Sequence, residues 1–319
     1  MKMRDAVALV HPKPKNSKQA QLFGRLMEGT LETPYTWETQ LSERGNTKKV
    51  WEGLIASGKM GYMATLRNLR NILKARPANV SLALRYIENR EAVLRSKQLP
   101  FRFYAASLAL QQEGLASSMV MDALEHAIAY SVDNIDRIPG RTLVAIDVSG
   151  SMCSGISSKS DIRCCDIARL LAVMAARICD DASVVSFDTQ LMPLAISSCG
   201  GILSQTNAIP VSGGGTDLTL PIRWALQGCR FFDRMILLSD HENNAWARTG
   251  QQVADAYRRK VNPDFFVHAV DLQGYGTQQF IGKNTNIISG WSENVLRFIS
   301  LVELGMDTLT GTVERYDVL

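Results

Sequence analysis

The spacing of apolar residues over the first 140 positions predicts helices. An apolar stripe recurs at i, i+4, i+7 and i+11 along residues 61–76, which is the period of one helix face. Its members are Tyr62, Leu66, Leu69 and Leu73. Similar patterns predict helices over residues 78–96, 103–113 and 119–132. Helices without intervening strands favour a solenoid of stacked helical hairpins, in which each unit buries its apolar face on the next.

The pattern changes near residues 138–141, where Pro and Gly end the helical run and suggest a domain boundary. Short, uniformly apolar runs then alternate with amphipathic helices. Strands are predicted over residues 142–148, 183–187, 234–239, 265–271 and 285–288, and helices over 161–179, 219–227, 247–261 and 292–304. Apolar strands separated by helices indicate a mostly parallel sheet covered on both faces, an α/β fold. Ligands of such folds bind at the carboxyl ends of the strands.

Charge is distributed unevenly along the 319 residues, whose net charge is +4. Residues 1–102 hold 19 Lys and Arg against 8 Asp and Glu, whereas residues 140–319 hold 15 against 18. A basic half favours a polyanionic partner such as nucleic acid, with a merely solvated Lys/Arg-rich surface as the alternative. No apolar run reaches the roughly 18 residues of a membrane span, and no secretory signal is visible. The six scattered cysteines favour free thiols in a cytoplasmic protein.

Three polar segments follow predicted strands or open a predicted helix, so they can converge at one edge of the sheet. Their candidate metal ligands are Asp147, Ser149, Ser151, Thr216 and Asp240. A donor set of oxygens alone suits a hard divalent cation, Mg²⁺ or Mn²⁺. The alternative is that Asp147, Ser149 and Ser151 only cap the turn and helix that follow. His241 is predicted to be an exposed loop residue.

The Asp147-x-Ser149-x-Ser151 pattern, with Thr216 and Asp240, resembles the metal-ion-dependent adhesion site of von Willebrand factor A domains. The resemblance implies that Ser149 and Ser151 bind the metal directly. It also implies that Asp147, Thr216 and Asp240 bind it directly or through water. Such a site keeps an affinity for an acidic group from a protein partner.

The first half resembles the Ro autoantigen family, whose module is called TROVE. The similar segments are Leu9-Val-His11-Pro-Lys13-Pro14, Trp51-Glu-Gly-Leu-Ile55, Ala64-Thr-Leu-Arg-Asn-Leu69 and Leu99-Pro-Phe101. The resemblance implies HEAT-like helical repeats over residues 1–139 and a von Willebrand factor A domain over residues 140–305. Residues 306–319 form a tail that is either a final strand or a docking segment.

Membership of this family implies an RNA-binding scaffold, not an enzyme. Its members bind small noncoding RNAs and the single-stranded 3′ ends of misfolded RNAs, as ribonucleoprotein components in RNA quality control. The candidate phosphate contacts here are Arg67, Arg70 and Lys74, followed by His11, Lys13 and Lys15. The alternative for Arg67 and Asn68 is a structural role between repeats. For His11 the alternative is a simple loop residue, while Trp37 and Trp51 are expected in the core.

The chain departs from the family at its start, because relatives carry more than a hundred further residues of repeats before the segment that matches residues 5–14. It therefore resembles an N-terminally truncated member. An open arc, a ring completed by another chain and a self-assembled homo-oligomeric ring are all compatible with this. The alternative function is a metal-dependent adaptor that binds an acidic protein. An enzyme is disfavoured, since no Walker A loop, nucleophile elbow or His–carboxylate pattern is present.

Overall fold

The computed structural model describes residues 3–32, 34–156, 162–242, 249–274, 276, 279–292 and 294–315. The chain divides into two compact units, Met1–Leu82 and Ala83–Leu319. This division lies well before residue 139, so the predicted domain limits at 139/140 and 305/306 stay a prediction. No helix of the described residues is both long and apolar enough to span a membrane.

The first unit is helical around a small apolar core. Its helices are α1 (Met3–Val10), α2 (Ser17–Glu28), α3 (Trp37–Arg44), α4 (Lys48–Ala56), α5 (Tyr62–Arg67) and α6 (Leu69–Ala75). Trp51, Leu54, Met60 and Ile72 form the buried cluster, and Trp37 packs against it. The indole N–H of Trp51 donates to Asn46 Oδ1. Both tryptophans therefore belong to the core, as the sequence predicts.

The single helix predicted over residues 61–76 is wrong, because it breaks into α5 and α6 at Asn68. This residue leaves helical geometry, with φ −94° and ψ 4°. Its side-chain amide donates to the carbonyl oxygen of Ala64 at 2.9 Å, a local bond that competes with the helix. Leu66 and Leu69 remain buried on either side of the break. Asn68 therefore has a structural role within its own turn.

The second unit begins with helices that precede the first strand in the sequence. After α7 (Val80–Ile87), which crosses the division in sequence, come α8 (Arg90–Ser96), α9 (Pro100–Gln112) and α10 (Ser118–Val132). The helix predicted over 78–96 is thus also divided, because Asn89 Oδ1 accepts the Ala92 N–H at 2.8 Å and caps α8. Pro100 opens α9 instead of ending a helix, since proline suits the first helical turn.

A sheet with strand order β3-β2-β1-β4-β5-β6 forms the centre of this unit. The strands are β1 (Ile138–Asp147), β2 (Cys179–Phe187), β3 (Leu191–Leu194), β4 (Arg234–Ser239), β5 (Phe266–Asp271) and β6 (Thr285–Ser289). Every pairing is parallel except that of β2 with β3. The helices that follow β1 are α11 (Cys164–Ile178), α12 (Ile202–Ala208), α13 (Leu220–Gln227), α14 (Gly250–Lys260), α15 (Asn294–Glu303) and α16 (Met306–Glu314).

A helical first half followed by a mostly parallel α/β sheet is therefore confirmed. Other details differ from the prediction. β1 starts at Ile138, inside the expected linker, with a register irregularity before Arg141. The antiparallel β3 and the short α12 were not predicted. The tail carries α16, a helix and not a strand, and residues 316–319 lie outside the described residues.

Candidate metal centre and basic surface

Parallel pairing of two central strands places Asp147, the first residue of the predicted site, at the carboxyl edge of the sheet. β1 and β4 pair with Ile146 opposite Leu238, so Asp147 and Ser239 follow as neighbours at the carboxyl ends. Ser239 Oγ donates to Asp147 Oδ2 at 2.6 Å, while the Ser149 N–H donates to Oδ1 at 2.9 Å. Asp147 is completely buried and held from two sides.

The Gly-rich segment that precedes α13 is tied to the loop after β1. The Gly150 N–H donates to the Gly214 carbonyl at 2.9 Å, and the Ser212 and Gly213 N–H groups donate to the Val148 carbonyl. A Cβ at Gly150 would lie 3.0 Å from the Gly213 carbonyl oxygen, so glycine permits this close approach. The segment that contains Thr216 is thereby fixed beside the loop of Ser149 and Ser151.

Hydroxyl groups are placed beside the carboxylates. Ser149 and Thr216 are almost fully buried, and Ser151 is half-buried at the start of a short 3₁₀ turn, Ser151–Cys153. The Oγ atoms of the two serines are 3.3 Å apart. The structure therefore brings Asp147, Ser149, Ser151 and Asp240 to one edge of the sheet and fixes the segment of Thr216 there.

The charge of this edge is not balanced within it. Asp240 is fully buried, and its Oδ2 has no hydrogen-bond partner among the described residues. Burial raises the pKa of Asp147 to about 6 against the hydrogen bonds from Ser149 and Ser239, and the Asp240 carboxylate adds to the rise. A buried carboxylate oxygen without a partner is costly. The edge therefore carries negative charge that no described basic side chain balances.

The donor set fits a hard divalent ion. Two carboxylates and three hydroxyls supply oxygen ligands only, which suits Mg²⁺ or Mn²⁺. No group of three or more His, Cys, Asp or Glu suited to a metal occurs in the described part of the chain. A site here must therefore use the hydroxyls of Ser149, Ser151 and Thr216 together with Asp147 and Asp240.

His241 does not lie on the surface, and the prediction of an exposed loop residue is wrong. Its exposed fraction is 1%, and its backbone has φ +59°. The turn folds inward because the His241 N–H donates to Ser239 Oγ at 2.9 Å. Burial lowers the pKa of the His241 imidazole despite the charges of Asp271 and Asp240. The ring is therefore part of the interior beneath the edge.

Sequence reasoning missed two residues that hold the edge together. Ser239 orients Asp147, and Asp188 Oδ2 accepts a hydrogen bond from Ser212 Oγ at 2.6 Å, which fixes the Gly-rich segment. A Cβ on Gly214 would lie 2.7 Å from the same oxygen. The position of Asp188 in the sequence could have identified it, because it directly follows β2 just as Asp147 ends β1.

The predicted RNA contacts lie on the surface of the first unit. Arg67, on α5, and Arg70 and Lys74, on α6, are exposed although the helix between them is broken. His11, Lys13 and Lys15 are exposed in the segment between α1 and α2, and His11 adopts φ +45°. All six side chains are exposed, and their role in RNA binding stays a prediction.

Two family models match separate parts of the chain. The TROVE domain matches residues 9–119, and the Ro60 vWA domain matches residues 141–273. The chain is 42% identical over 97 residues to telomerase protein component 1 of Rattus norvegicus, covering 30% of this chain and 4% of that protein. It is 32% identical over 144 residues to RNA-binding protein RO60 of Deinococcus radiodurans, covering 44% of this chain and 27% of that protein.

The crystal structure of the Deinococcus radiodurans RO (RSR) protein superimposes with a TM-score of 0.65 at 23% identity. The match covers 94% of this chain and 70% of that one. At this identity the structural likeness establishes the fold. The two family models match the helical and the α/β regions in the order in which these occur along the chain. Together they identify the family, and neither is a model of an enzyme family. The chain belongs to the Ro family, with a TROVE domain followed by a Ro60-type von Willebrand factor A domain.

Proposed function

We propose that this chain is an RNA-binding scaffold that binds RNA through its basic helical half. The observation that carries the proposal is the coincidence of the TROVE match over residues 9–119 with the strongly basic residues 1–102. A relative that matches 44% of the chain is named as an RNA-binding protein. We further propose small noncoding or misfolded RNAs, including their single-stranded 3′ ends, as the ligands in a ribonucleoprotein of RNA quality control.

Phosphate neutralisation is the physical basis of the proposed binding. Arg67, Arg70 and Lys74 are exposed on α5 and α6 of the same unit. Each phosphate neutralised on a single strand contributes a slope of about −0.7 to the dependence of log affinity on log salt. Three such contacts would therefore contribute a slope of about −2.

Charge reversal tests this assignment. The variant carries Arg67→Glu, Arg70→Glu and Lys74→Glu, and the matched control carries Arg259→Glu, Lys260→Glu and Arg315→Glu, which are exposed in the second unit. Fluorescence anisotropy with a labelled RNA at one fixed salt concentration gives the affinity. We expect a loss of about 30-fold or more for the first variant and little change for the control. Equal affinities of the two triple variants would show that the site assignment is wrong.

A second function is favoured by a separate observation, the unpartnered Oδ2 of buried Asp240. We propose that Asp147, Ser149, Ser151, Thr216 and Asp240 hold Mg²⁺ or Mn²⁺. The bound ion would supply an electrophilic centre for an acidic group of a protein partner. Calorimetric titration of the chain with MnCl₂ tests the site itself. Saturable binding that Asp240→Asn abolishes supports it, whereas identical titrations of parent and variant contradict it.

A further inference from the structure

A cavity of about 420 Å³ lies within the second unit, away from the candidate metal site and from the candidate RNA contacts. Its walls come from the loop between α8 and α9, the end of α10 and the start of α15. Its volume is within the range of cavities that hold small ligands, roughly 300–1,000 Å³. The chemistry of the walls indicates what it would bind.

The cavity carries positive charge without compensation. Lys97 and Arg297 line it, both are exposed, and neither forms an ion pair with any described residue. None of the described residues that line it is acidic. Two uncompensated cations beside one cavity attract an anion, and the guanidinium of Arg297 suits a phosphate through paired N–H donors.

A larger cavity in the same unit, of about 550 Å³, shows the opposite arrangement. Its Arg90 and Arg177 lie 3.9 and 3.8 Å from the carboxylate of Asp133, and its Arg137 lies 3.1 Å from that of Asp180. Each of these arginines already has an acidic neighbour within the protein. The contrast makes the cavity of Lys97 and Arg297 the better anion site, although it is smaller.

The remaining walls suit a planar, hydrogen-bonding group attached to the anion. Gln98, Asn134 and Asn294 supply amides that both donate and accept. Leu94 and Leu99 supply apolar surface, and Leu99 is 45% exposed. Apolar surface packs against the face of a base or sugar, while amides bond to their edges. Phosphate, sugar and base occur together in a nucleotide.

Two features lie next to the walls of this cavity. The rings of Phe101, on α9, and Trp291, just before α15, are in contact with centroids 4.6 Å apart. Lys97 ends α8 in the left-handed conformation, with φ +51°. Glycine is the residue preferred there, so a lysine at this position carries a conformational cost.

We propose that this cavity binds one nucleotide, with the phosphate on Lys97 and Arg297 and the base and sugar against the amides and leucines. Two sources present this chemistry, a free nucleoside monophosphate and the 5′-phosphorylated terminal nucleotide of an RNA. The free-nucleotide source is independent of the proposed RNA binding by the basic helical half, and the RNA source rests on it.

Calorimetric titration of the full chain tests the proposal, with AMP, adenosine and inorganic phosphate as separate probes. Single-stranded RNA tetranucleotides with a 5′-phosphate or a 5′-hydroxyl form the second arm. We expect AMP or the 5′-phosphorylated RNA to bind at least tenfold more tightly than adenosine, phosphate and the 5′-hydroxyl RNA. Tighter binding of AMP assigns the cavity to free nucleotides, and tighter binding of the phosphorylated RNA assigns it to RNA ends.

Two variants locate the binding. Lys97→Gly removes the charge and places glycine in the left-handed position, so the fold is expected to persist. Arg297→Gln removes the other charge, and Arg259→Gln on α14 is the matched control. Each cavity variant should lower the affinity for the better probe at least tenfold, and the control should not. Absence of binding to AMP and to the phosphorylated RNA, or equal affinities for all three variants, would overturn the proposal. Loss of RNA binding at the basic helical half would not affect the AMP result.

Discussion

At the amino end of the sheet, the carboxylate of Glu303 accepts hydrogen bonds from Arg234 Nε at 2.7 Å and Nη2 at 2.8 Å. His268 Nε2 lies 2.7 Å from the same carboxylate. At the carboxyl end, Asp240 keeps one buried oxygen without a partner, and Asp147 is held only by hydrogen bonds. One strand, β4, carries Arg234 at its start and ends just before Asp240.

The difference separates a structural charge network from a candidate binding site. Burial opposes ionisation of Glu303, but the bonds from His268 and Arg234 outweigh it and lower the pKa of that carboxyl. At the other end burial prevails, and the pKa of Asp147 rises to about 6. A network that balances its own charge stabilises the fold. An edge that leaves acidic groups unbalanced gains from an external cation.

The largest effect should come from removing a carboxylate at the unbalanced end. Asp147→Asn retains the shape of the side chain and its ability to bond Ser149 and Ser239, but removes the charge that a cation needs. We expect the affinity for Mn²⁺, measured by calorimetry, to fall about 100-fold or more, since removing a charged ligand costs several kcal/mol. Asp264→Asn, at an exposed turn, is the control. An unchanged affinity for Asp147→Asn would show that the edge is a structural network like its counterpart.

The balanced end should lose stability when one of its charges is removed. Glu303→Gln leaves Arg234 buried without a counter-ion, because Arg234 is only 5% exposed. We expect a loss of about 3 kcal/mol in the free energy of unfolding, measured with urea. Exposed Glu314→Gln should change it little. A loss no larger than that of the control would show that the stability of the fold does not depend on the charges at this end.

A half-buried carboxylate, that of Glu125, is bonded by backbone N–H groups. Glu125, on α10, accepts the N–H groups of Ile202, Leu203 and Ser204 at the start of α12. Glu125→Ala should lower the free energy of unfolding by about 1–2 kcal/mol, because a helix terminus loses its capping acceptor. Glu125→Gln keeps an acceptor and should lose less. Equal losses in the two variants would show that the stabilisation comes from the carboxylate charge and that the amide oxygen of glutamine does not replace it.

The smallest effect concerns pH at the balanced end. Asn286 Nδ2 lies 3.3 Å from His268 Nδ1, so Nδ1 accepts and Nε2 carries the proton toward Glu303. Burial lowers the pKa of His268 below its ordinary value, although Glu303 opposes this. The neutral ring therefore contributes stability above the unfolded pKa of about 6.5, and this is lost as the pH falls.

The His268→Gln variant lacks the titrating imidazole. Between pH 6.5 and 5.5 we expect the parent to lose about 1 kcal/mol more of its unfolding free energy than the variant. His126→Gln, at an exposed histidine, is the control. Parallel pH profiles of parent and His268→Gln would show that the imidazole has the same pKa in the folded and the unfolded chain, and would contradict the prediction.

The sequence was sufficient where burial follows a simple period. β4 was predicted at its observed bounds because it contains a continuous apolar run over residues 235–238. The segments that carry the candidate metal ligands lie at the carboxyl edge, as expected, because parallel strands align their ends. β3 was missed because its four residues include Pro193 and exposed Met192, which give no strand pattern.

Other features depend on contacts that a linear pattern does not contain. The break at Asn68 coincides with a side-chain bond to the carbonyl oxygen of Ala64. The burial of His241 results from a turn fixed by Ser239. The cavity of Lys97 and Arg297 combines residues 200 positions apart on separate helices and loops. No local period could have joined them.

The central claim is that this Ro-family chain binds RNA, and a titration of the parent chain with two RNAs tests it most directly. One RNA is a hairpin with a single-stranded 3′ tail, and the other is the same hairpin with a blunt end, both at one fixed salt concentration. We expect saturable binding of both and tighter binding of the tailed hairpin. Absence of binding to either RNA would contradict the claim.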